Sequence, residues 1–215
     1  MSDVYAPPDA PLRILHADEA LVVADKPAGL LSVPGRGADK ADCLIARLEV
    51  DFPGVLLVHR LDRDTSGVIV FARTPQAQAH LGRQFEARSV EKRYHARVVG
   101  VPEAPSGQVD LPLALDWPNR PRQMVCHDTG RPALTDWRRL KVEGNSARML
   151  LKPRTGRSHQ LRVHMLALGH PILGDTLYAE GAARDWPRLM LHAERLGLIH
   201  PESGARLSFR APVPF

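Results

Sequence analysis

A chain of 215 residues with 44% hydrophobic and 25% charged residues can build a real core, and it has neither a disordered nor a fibrous composition. No apolar run approaches the ~20 residues that span a bilayer, and the acidic, proline-rich start MSDVYAPPDAP is neither a signal peptide nor a transit peptide. Cys43 and Cys126 lie far apart without paired-ligand spacing, which points to a reduced, cytoplasmic protein, while a net charge of +5 favours a polyanionic partner, nucleic acid above all.

Residues 1–11 read as a flexible arm. Residues 12–15 and 20–24 are apolar stretches on either side of the polar turn His16-Ala17-Asp18-Glu19, and they predict two short strands. Asp25-Lys26-Pro27-Ala28-Gly29 is turn chemistry. Leu44, Ile45 and Leu48 fall at helical spacing and predict a helix over 42–50, ended by Pro53-Gly54.

Two β-branched-rich runs, 55–58 and 68–71, then read as buried strands. Between them lies HRLDRDTSG, residues 59–67. Two arginines, two aspartates, a histidine and two hydroxyls are more charge than a hairpin turn needs. The loop fits two readings: catalytic groups presented between rigid strands, or a charged turn whose Asp and Ser bond the local backbone.

Thr74-Pro75 starts a helix that should run to about residue 88, with Leu81 and Phe85 turned inward. KRYHARVV, residues 92–99, alternates as a strand, with Tyr94, Ala96 and Val98 on the inner face and Arg93, His95 and Arg97 outward. Residues 107–115 read as one strand. It leads into residues 116–123, a stiff basic excursion with Trp117, Arg120 and Arg122 that suits a phosphate backbone.

Strands are expected over 135–142 and 146–151, joined by Glu143-Gly144-Asn145. Residues 152–158 form a second basic loop, and Ser158 is placed to cap a helix over 159–168 closed by Gly169. Backbone amides there, with Arg154 and Arg157, make an anion site. Short strands follow at 189–192, 197–200 and 206–210.

There is no internal repeat, P-loop, GxGxxG or GxSxG pattern. The ten histidines include no HxH or HExxH spacing, so no metal site is expected. The residues do allow a nucleophilic aspartate kept ionised by an arginine.

Four stretches, in this order, resemble the motifs of the RluA-type pseudouridine synthases. HRLDRDTSG resembles the catalytic H-R-L-D-x-x-T-S-G. Lys92-Arg93-Tyr94 resembles the K-x-Y strand motif. TGRSHQLRVH, residues 155–164, resembles T-G-R-x-H-Q-[IL]-R-x-H, and RLMLHA, residues 188–193, resembles a late L-x-L-H-A strand. The likeness runs from about residue 12 to the end. GLLSVPGR, DWPNRP and SHQLRVHMLALGHPILGD, beginning at Gly29, Asp116 and Ser158, are most similar to family members that act on both tRNA and large-subunit rRNA. The S4-like RNA-binding domain of several relatives has no counterpart here. Arg63-Asp64 stands at two positions that the family varies.

The resemblance implies an α+β pseudouridine synthase catalytic fold over residues 12–215, with a long, mixed, mostly antiparallel sheet, flanking helices and a central active-site cleft. It implies no cofactor and no metal. The expected partners are hairpins of tRNA and 23S rRNA, with neither a membrane nor an obligatory protein partner. Carried over by motif, Asp62 is the nucleophile and Arg162 pairs with it. Tyr94 stacks on the target base and takes the proton from its new bonding carbon. Arg60 fills the stack when the uridine flips out, a movement that is required because no carboxylate reaches the sugar–base junction inside a stack. His59, Thr65, Arg157 and His159 are expected around the substrate, Leu191 on the apolar wall, and Arg120 and Arg122 on phosphates. A silent RNA-binding module and a glycosidase releasing free uracil are the competing readings. The intact Asp62, Tyr94 and Arg162 set favours the isomerase.

Overall fold

The structure, a computed structural model, describes residues 5–215. In chain order its strands and helices are β1 (Arg13–Ala17), β2 (Leu21–Lys26), α1 (Leu44–Asp51), β3 (Leu56–Leu57), β4 (Ser66–Ala72), α2 (Pro75–Glu86), β5 (Glu91–Val99), β6 (Ser106–Asp110), β7 (Leu113–Leu115), β8 (Gln123–Val125), β9 (Leu134–Glu143), β10 (Ser146–Pro153), α3 (Gln160–Ala167), β11 (Leu191–Ile199) and β12 (Arg206–Arg210). This is the expected α+β class, with a large, mixed, mostly antiparallel sheet and three helices. Among the described residues no helix is long and apolar enough to cross a membrane.

The chain divides into two compact units. The first holds the residues up to Lys92 and Ala193–Pro214, the second Arg93–His192 and Phe215. β5 and β11 each contribute to both.

In the first unit β2 pairs with β1 and β4, β3 adds to β4, and β12 adds to β11, all antiparallel. Every residue of β4 is buried, as expected of a strand whose apolar run is continuous rather than alternating. Val68, Ile69, Val70 and Phe71 are at most 1% exposed, and such burial stabilises by roughly 1.5–3 kcal/mol per side chain. β3 differs from expectation. Only two residues ladder onto β4, both half-buried. Gly67 in β4 has φ 111, and a Cβ there would collide with the Ala193 carbonyl of β11.

α2 begins as predicted. Thr74 accepts from the Ala77 N–H at 3.1 Å and Pro75 opens the first turn. Its Ala77, Leu81 and Gln84 are buried. The Gln84 amide donates to the Ile199 carbonyl at 2.7 Å and accepts its N–H at 2.8 Å. β11 is one strand where the sequence indicates two. The interrupting charges are accommodated on β12: Arg210 meets Glu194 at 2.7 Å and Arg195 donates to Ser208 at 2.7 Å.

Of the expected arm, residues 1–4 lie outside the described residues. From Tyr5 it makes hydrogen bonds to the rest of the chain. The Tyr5 hydroxyl donates to the Asp42 carbonyl at 2.8 Å and accepts from the Leu31 N–H at 3.0 Å, and Arg47 donates to the Pro8 carbonyl at 2.8 Å.

In the second unit β10 pairs antiparallel with β5 and β9, and β9 with β6. Ala96, Val98, Met149, Leu151, Met165 and Ile172 are fully buried and form its core. The single strand expected over 107–115 is broken at Leu111-Pro112. Proline has no N–H to give the ladder, and the chain turns off to form the two-stranded ribbon of β7 and β8.

The start of α3 also departs from expectation. Ser158 does not cap it; His159 takes the cap position in left-handed backbone, φ 52. The cause is Gln160, whose side chain reaches back and closes the loop. Its Oε1 accepts from Thr155 Oγ1 at 2.7 Å and the Arg157 N–H at 3.0 Å, and its Nε2 donates to the Leu134 carbonyl and Thr135 Oγ1, both at 3.0 Å.

Candidate active site

In the first unit the polar loop between β3 and β4 is held from beneath. The Leu61 N–H donates to Ser32 Oγ at 3.2 Å and Ser32 donates back to the Leu61 carbonyl at 2.8 Å. Lys26 is fully buried. Its ammonium donates to the carbonyls of Pro27 at 3.0 Å, Leu30 at 2.6 Å and Arg63 at 2.8 Å. A buried cation is tolerated only when its donors are matched in this way. The Gly29 N–H also meets the Arg63 carbonyl at 3.0 Å, and the Thr65 N–H closes a turn on the Asp62 carbonyl at 3.2 Å. Asp62 is half-buried, with the residues on both sides of it anchored through backbone atoms.

The other loop residues divide. Arg60 is exposed and Thr65 is buried. Arg63 is engaged by Asp64 at 2.9 and 3.1 Å. His59 stacks on Phe85 of α2, with ring centroids 4.6 Å apart, and its Nε2 accepts the Val70 N–H at 3.2 Å. Burial, and then the Lys92 ammonium, push its pKa down to about 3. A neutral ring whose Nε2 is already accepting holds the loop to α2. The substrate-binding role expected for His59 is a separate matter from this support of the loop. Burial, and then Arg88, likewise lower Lys92 to about 8.

In the second unit Tyr94 sits on β5 opposite Leu151 of β10, half-buried and packed against the core. Arg93, His95 and Arg97 are also half-buried rather than fully outward. Leu191 is 3% exposed within that core.

Arg162 on α3 is 3% exposed and Asp175 is fully buried. The guanidinium forms a two-pronged pair with Asp175, Nε to Oδ2 at 2.7 Å and Nη2 to Oδ1 at 2.6 Å. Asp175 Oδ1 also accepts the N–H groups of Leu177 at 3.0 Å and Tyr178 at 3.1 Å. The Tyr178 ring lies under Arg162 at 5.1 Å and under Arg122 at 5.3 Å. Its hydroxyl accepts the Gln123 N–H at 2.7 Å and bonds His159 Nδ1 at 2.8 Å. That contact offsets the roughly 1–3 kcal/mol of left-handed backbone at His159.

The TGRSHQLRVH stretch therefore splits by task. Thr155, Gln160 and His164 hold the fold; His164 bonds Thr135 Oγ1 at 2.9 Å and the Leu111 carbonyl at 3.1 Å, and burial lowers its pKa. Arg157, His159 and Arg162 carry the remaining polar chemistry. Arg157 is half-buried and donates to the Pro132 carbonyl at 3.2 Å. Arg120 is exposed and Arg122 half-buried on the turn joining β7 to β8. Lys26, Ser32, Asp175 and Tyr178 were not singled out from sequence. Lys26 reads as part of a turn, and Gly174-Asp175 ends a stretch quoted only for resemblance. Among the described residues no group of His, Cys, Asp and Glu could hold a metal ion.

A family model described as RNA pseudouridylate synthase matches residues 20–167. The dual-specificity RNA pseudouridine synthase RluA of Escherichia coli strain K12 is 54% identical over 214 residues, covering 98% of each chain. The protein of that name from Yersinia pestis is 49% identical over 204 residues, covering 94% of this chain and 99% of its own. Among solved structures, human RNA pseudouridylate synthase domain containing 1 matches with a TM-score of 0.80 at 31% identity, over 98% of this chain and 87% of its own.

Proposed function

This chain belongs to the RNA pseudouridylate synthase family, and from that premise we propose how its residues carry out the isomerisation and on which RNAs. The protein is an RNA pseudouridine synthase, an isomerase that converts uridine to pseudouridine within RNA.

The uridine leaves its stack and Arg60 takes its place. The Asp62 carboxylate attacks C1′ of the ribose, and the uracil departs with the electron pair of the broken glycosidic bond on N1. The freed base turns and its C5 attacks C1′, releasing Asp62. The C5 proton leaves through the Tyr94 hydroxyl and a proton returns to N1, so that the product is an isomer with nothing gained or lost. Arg162 pairs with the Asp62 carboxylate. The Tyr94 ring stacks on the base. Thr65, Arg157 and His159 border the substrate, Leu191 forms an apolar wall, and Arg120 and Arg122 meet phosphates. Residues 12–215 act as one catalytic domain in the cytoplasm, without cofactor, metal, membrane or obligatory protein partner.

The observation that carries the role of Asp62 is the anchoring of its neighbours. Ser32 holds Leu61 and the buried Lys26 holds Arg63, which pre-sets the nucleophile's backbone before substrate arrives. Asp62→Asn and Asp62→Ala should abolish tritium release from 5-labelled uridine in RNA, with RNA affinity changed by less than about tenfold. Activity of Asp62→Ala within about tenfold of the native enzyme would sink the mechanism.

The relatives' dual-specificity name favours two RNA substrates, and the motif resemblance implies that these are a tRNA anticodon stem-loop and a 23S rRNA hairpin. One small domain that reads both would do so by the shape of a loop with its uridine flipped out. Assaying the two hairpins side by side tests this. Modification of one to completion while the other stays unmodified would overturn dual specificity and leave the isomerase reading intact.

A further inference from the structure

We propose that Trp117, with Arg120 laid on its ring, is a stacking platform for an unpaired nucleobase of the RNA substrate. The inference rests on the RNA pseudouridine synthase reading and adds a contact that phosphate-binding arginines do not supply.

Of the three tryptophans, Trp137 is 6% exposed and Trp186 is half-buried against the Arg97 guanidinium. Trp117 is 65% exposed, at the turn between β7 and β8. Its position is fixed by the backbone. The Asp116 N–H donates to the Arg122 carbonyl at 2.9 Å, the Asn119 N–H to the Asp116 carbonyl at 3.1 Å and the Arg122 N–H to the Asn119 carbonyl at 3.0 Å. The Asn119 side-chain amide occupies both oxygens of Asp116, at 3.1 and 3.0 Å, so the carboxylate of the residue before Trp117 is already engaged. Pro118 and Pro121 stiffen the turn further.

The Arg120 guanidinium carbon lies 4.8 Å from the indole ring. With Arg120 beside it, Trp117 stays largely exposed. An open aromatic surface beside a cation matches one nucleotide: the base stacks on the indole while its phosphate meets the guanidinium. Every base has such a face, so the contact tolerates differences of sequence between RNAs.

The platform is also tied to groups proposed to border the substrate. At the root of the ribbon the Gln123 N–H donates to the Tyr178 hydroxyl, and Arg122 lies over the Tyr178 ring. The same tyrosine touches His159 and Arg162. A base on Trp117 is therefore held at a fixed offset from Arg162, which acts as a ruler for the hairpin.

The test compares the native enzyme with Trp117→Ala, Trp117→Phe and Arg120→Ala. Their dissociation constants are measured across a salt series for a short RNA hairpin and for a fully paired duplex of equal length. Stacking carries no counterion release, whereas each phosphate contact does. Trp117→Ala should weaken the hairpin about tenfold or more, keep the slope of log Kd against log salt, and leave the duplex within about twofold. Trp117→Phe, which keeps an aromatic face and guards against a folding defect, should regain most of the affinity. Arg120→Ala should flatten the slope by about one. Three outcomes overturn the proposal: no loss in Trp117→Ala, equal loss on hairpin and duplex, or a slope flattened as in Arg120→Ala, which would make Trp117 only a rest for that arginine. Only binding is scored, so a native enzyme that failed to form pseudouridine would sink the isomerase reading separately.

Discussion

Replacing Asp175 by Asn exchanges one oxygen for an amide group, and the structure says how much that should cost. Asp175 is fully buried against an Arg162 that is 3% exposed. Oδ1 serves three donors, Arg162 Nη2 and the N–H groups of Leu177 and Tyr178, while Oδ2 serves Arg162 Nε. The asparagine oxygen can take over the first position. Its amide group then faces the Arg162 Nε–H, donor against donor. One charge-assisted hydrogen bond of about 1.5–3 kcal/mol is lost, and a buried guanidinium loses the counter-charge that Asp175 supplies. Together these cost about 3–5 kcal/mol, a large share of the ~5–15 kcal/mol that holds a domain together. Urea unfolding should show a lowered midpoint with an unchanged slope, and isomerisation should fall with the loss of Arg162 placement. In an Arg162→Met background the same change strands no cation, so the two substitutions should couple by about 2 kcal/mol. An Asp175→Asn cost below about 1 kcal/mol, or simple additivity, would refute the claim that this pair positions Arg162.

Three further outcomes are expected. Tyr94→Phe should bind RNA but turn over far more slowly, because the ring stays and the hydroxyl goes; equal single-turnover rates would leave Tyr94 with stacking alone. His59 has its pKa lowered from 6.5 to about 3, so the fold favours the neutral ring. Its stabilising contribution is complete above pH 6.5 and is lost as pH falls toward 3, at up to ~1.4 kcal/mol per pH unit. His59→Gln should flatten that acid limb in urea titrations run between pH 7 and 4, and an unaltered limb would count against it. EDTA in a metal-free assay on a short hairpin should leave activity intact, and a loss reversed by zinc would reveal a missed site.

Local rules reached much of this molecule from sequence alone. The Thr74-Pro75 start of α2, the continuous burial of β4 and the β9–β10 hairpin follow from capping, apolar runs and turn chemistry. They needed no knowledge of distant partners. What local rules missed depends on long-range satisfaction. β11 looked like two strands because the residues opposite Glu194 and Arg195 lie on β12. The start of α3 differs because the Gln160 side chain closes the preceding loop on Thr155 and the Arg157 N–H, and His159 rather than Ser158 takes the cap position. The proposed catalytic set of Asp62, Tyr94 and Arg162 is legible only as motif resemblance. Its supports Lys26 and Asp175 are not, since a lysine in a Pro-Gly turn shows no sign in sequence that three carbonyls will converge on it.

Gly67 closes the stretch that carries Asp62, yet its reason for being glycine is spatial. Left-handed backbone and the nearness of the Ala193 carbonyl leave no room for a methyl group. A mutational scan scored by pseudouridine output alone will show positions 62 and 67 as equally intolerant. The two failures are of different kinds. Asp62 variants should accumulate as soluble, RNA-binding, inert protein, whereas Gly67→Ala should reduce the yield of folded chain by forcing β11 off β4. A motif read off a sequence thus mixes residues selected by chemistry with residues selected by clearance, and abundance measured beside activity is what separates the two.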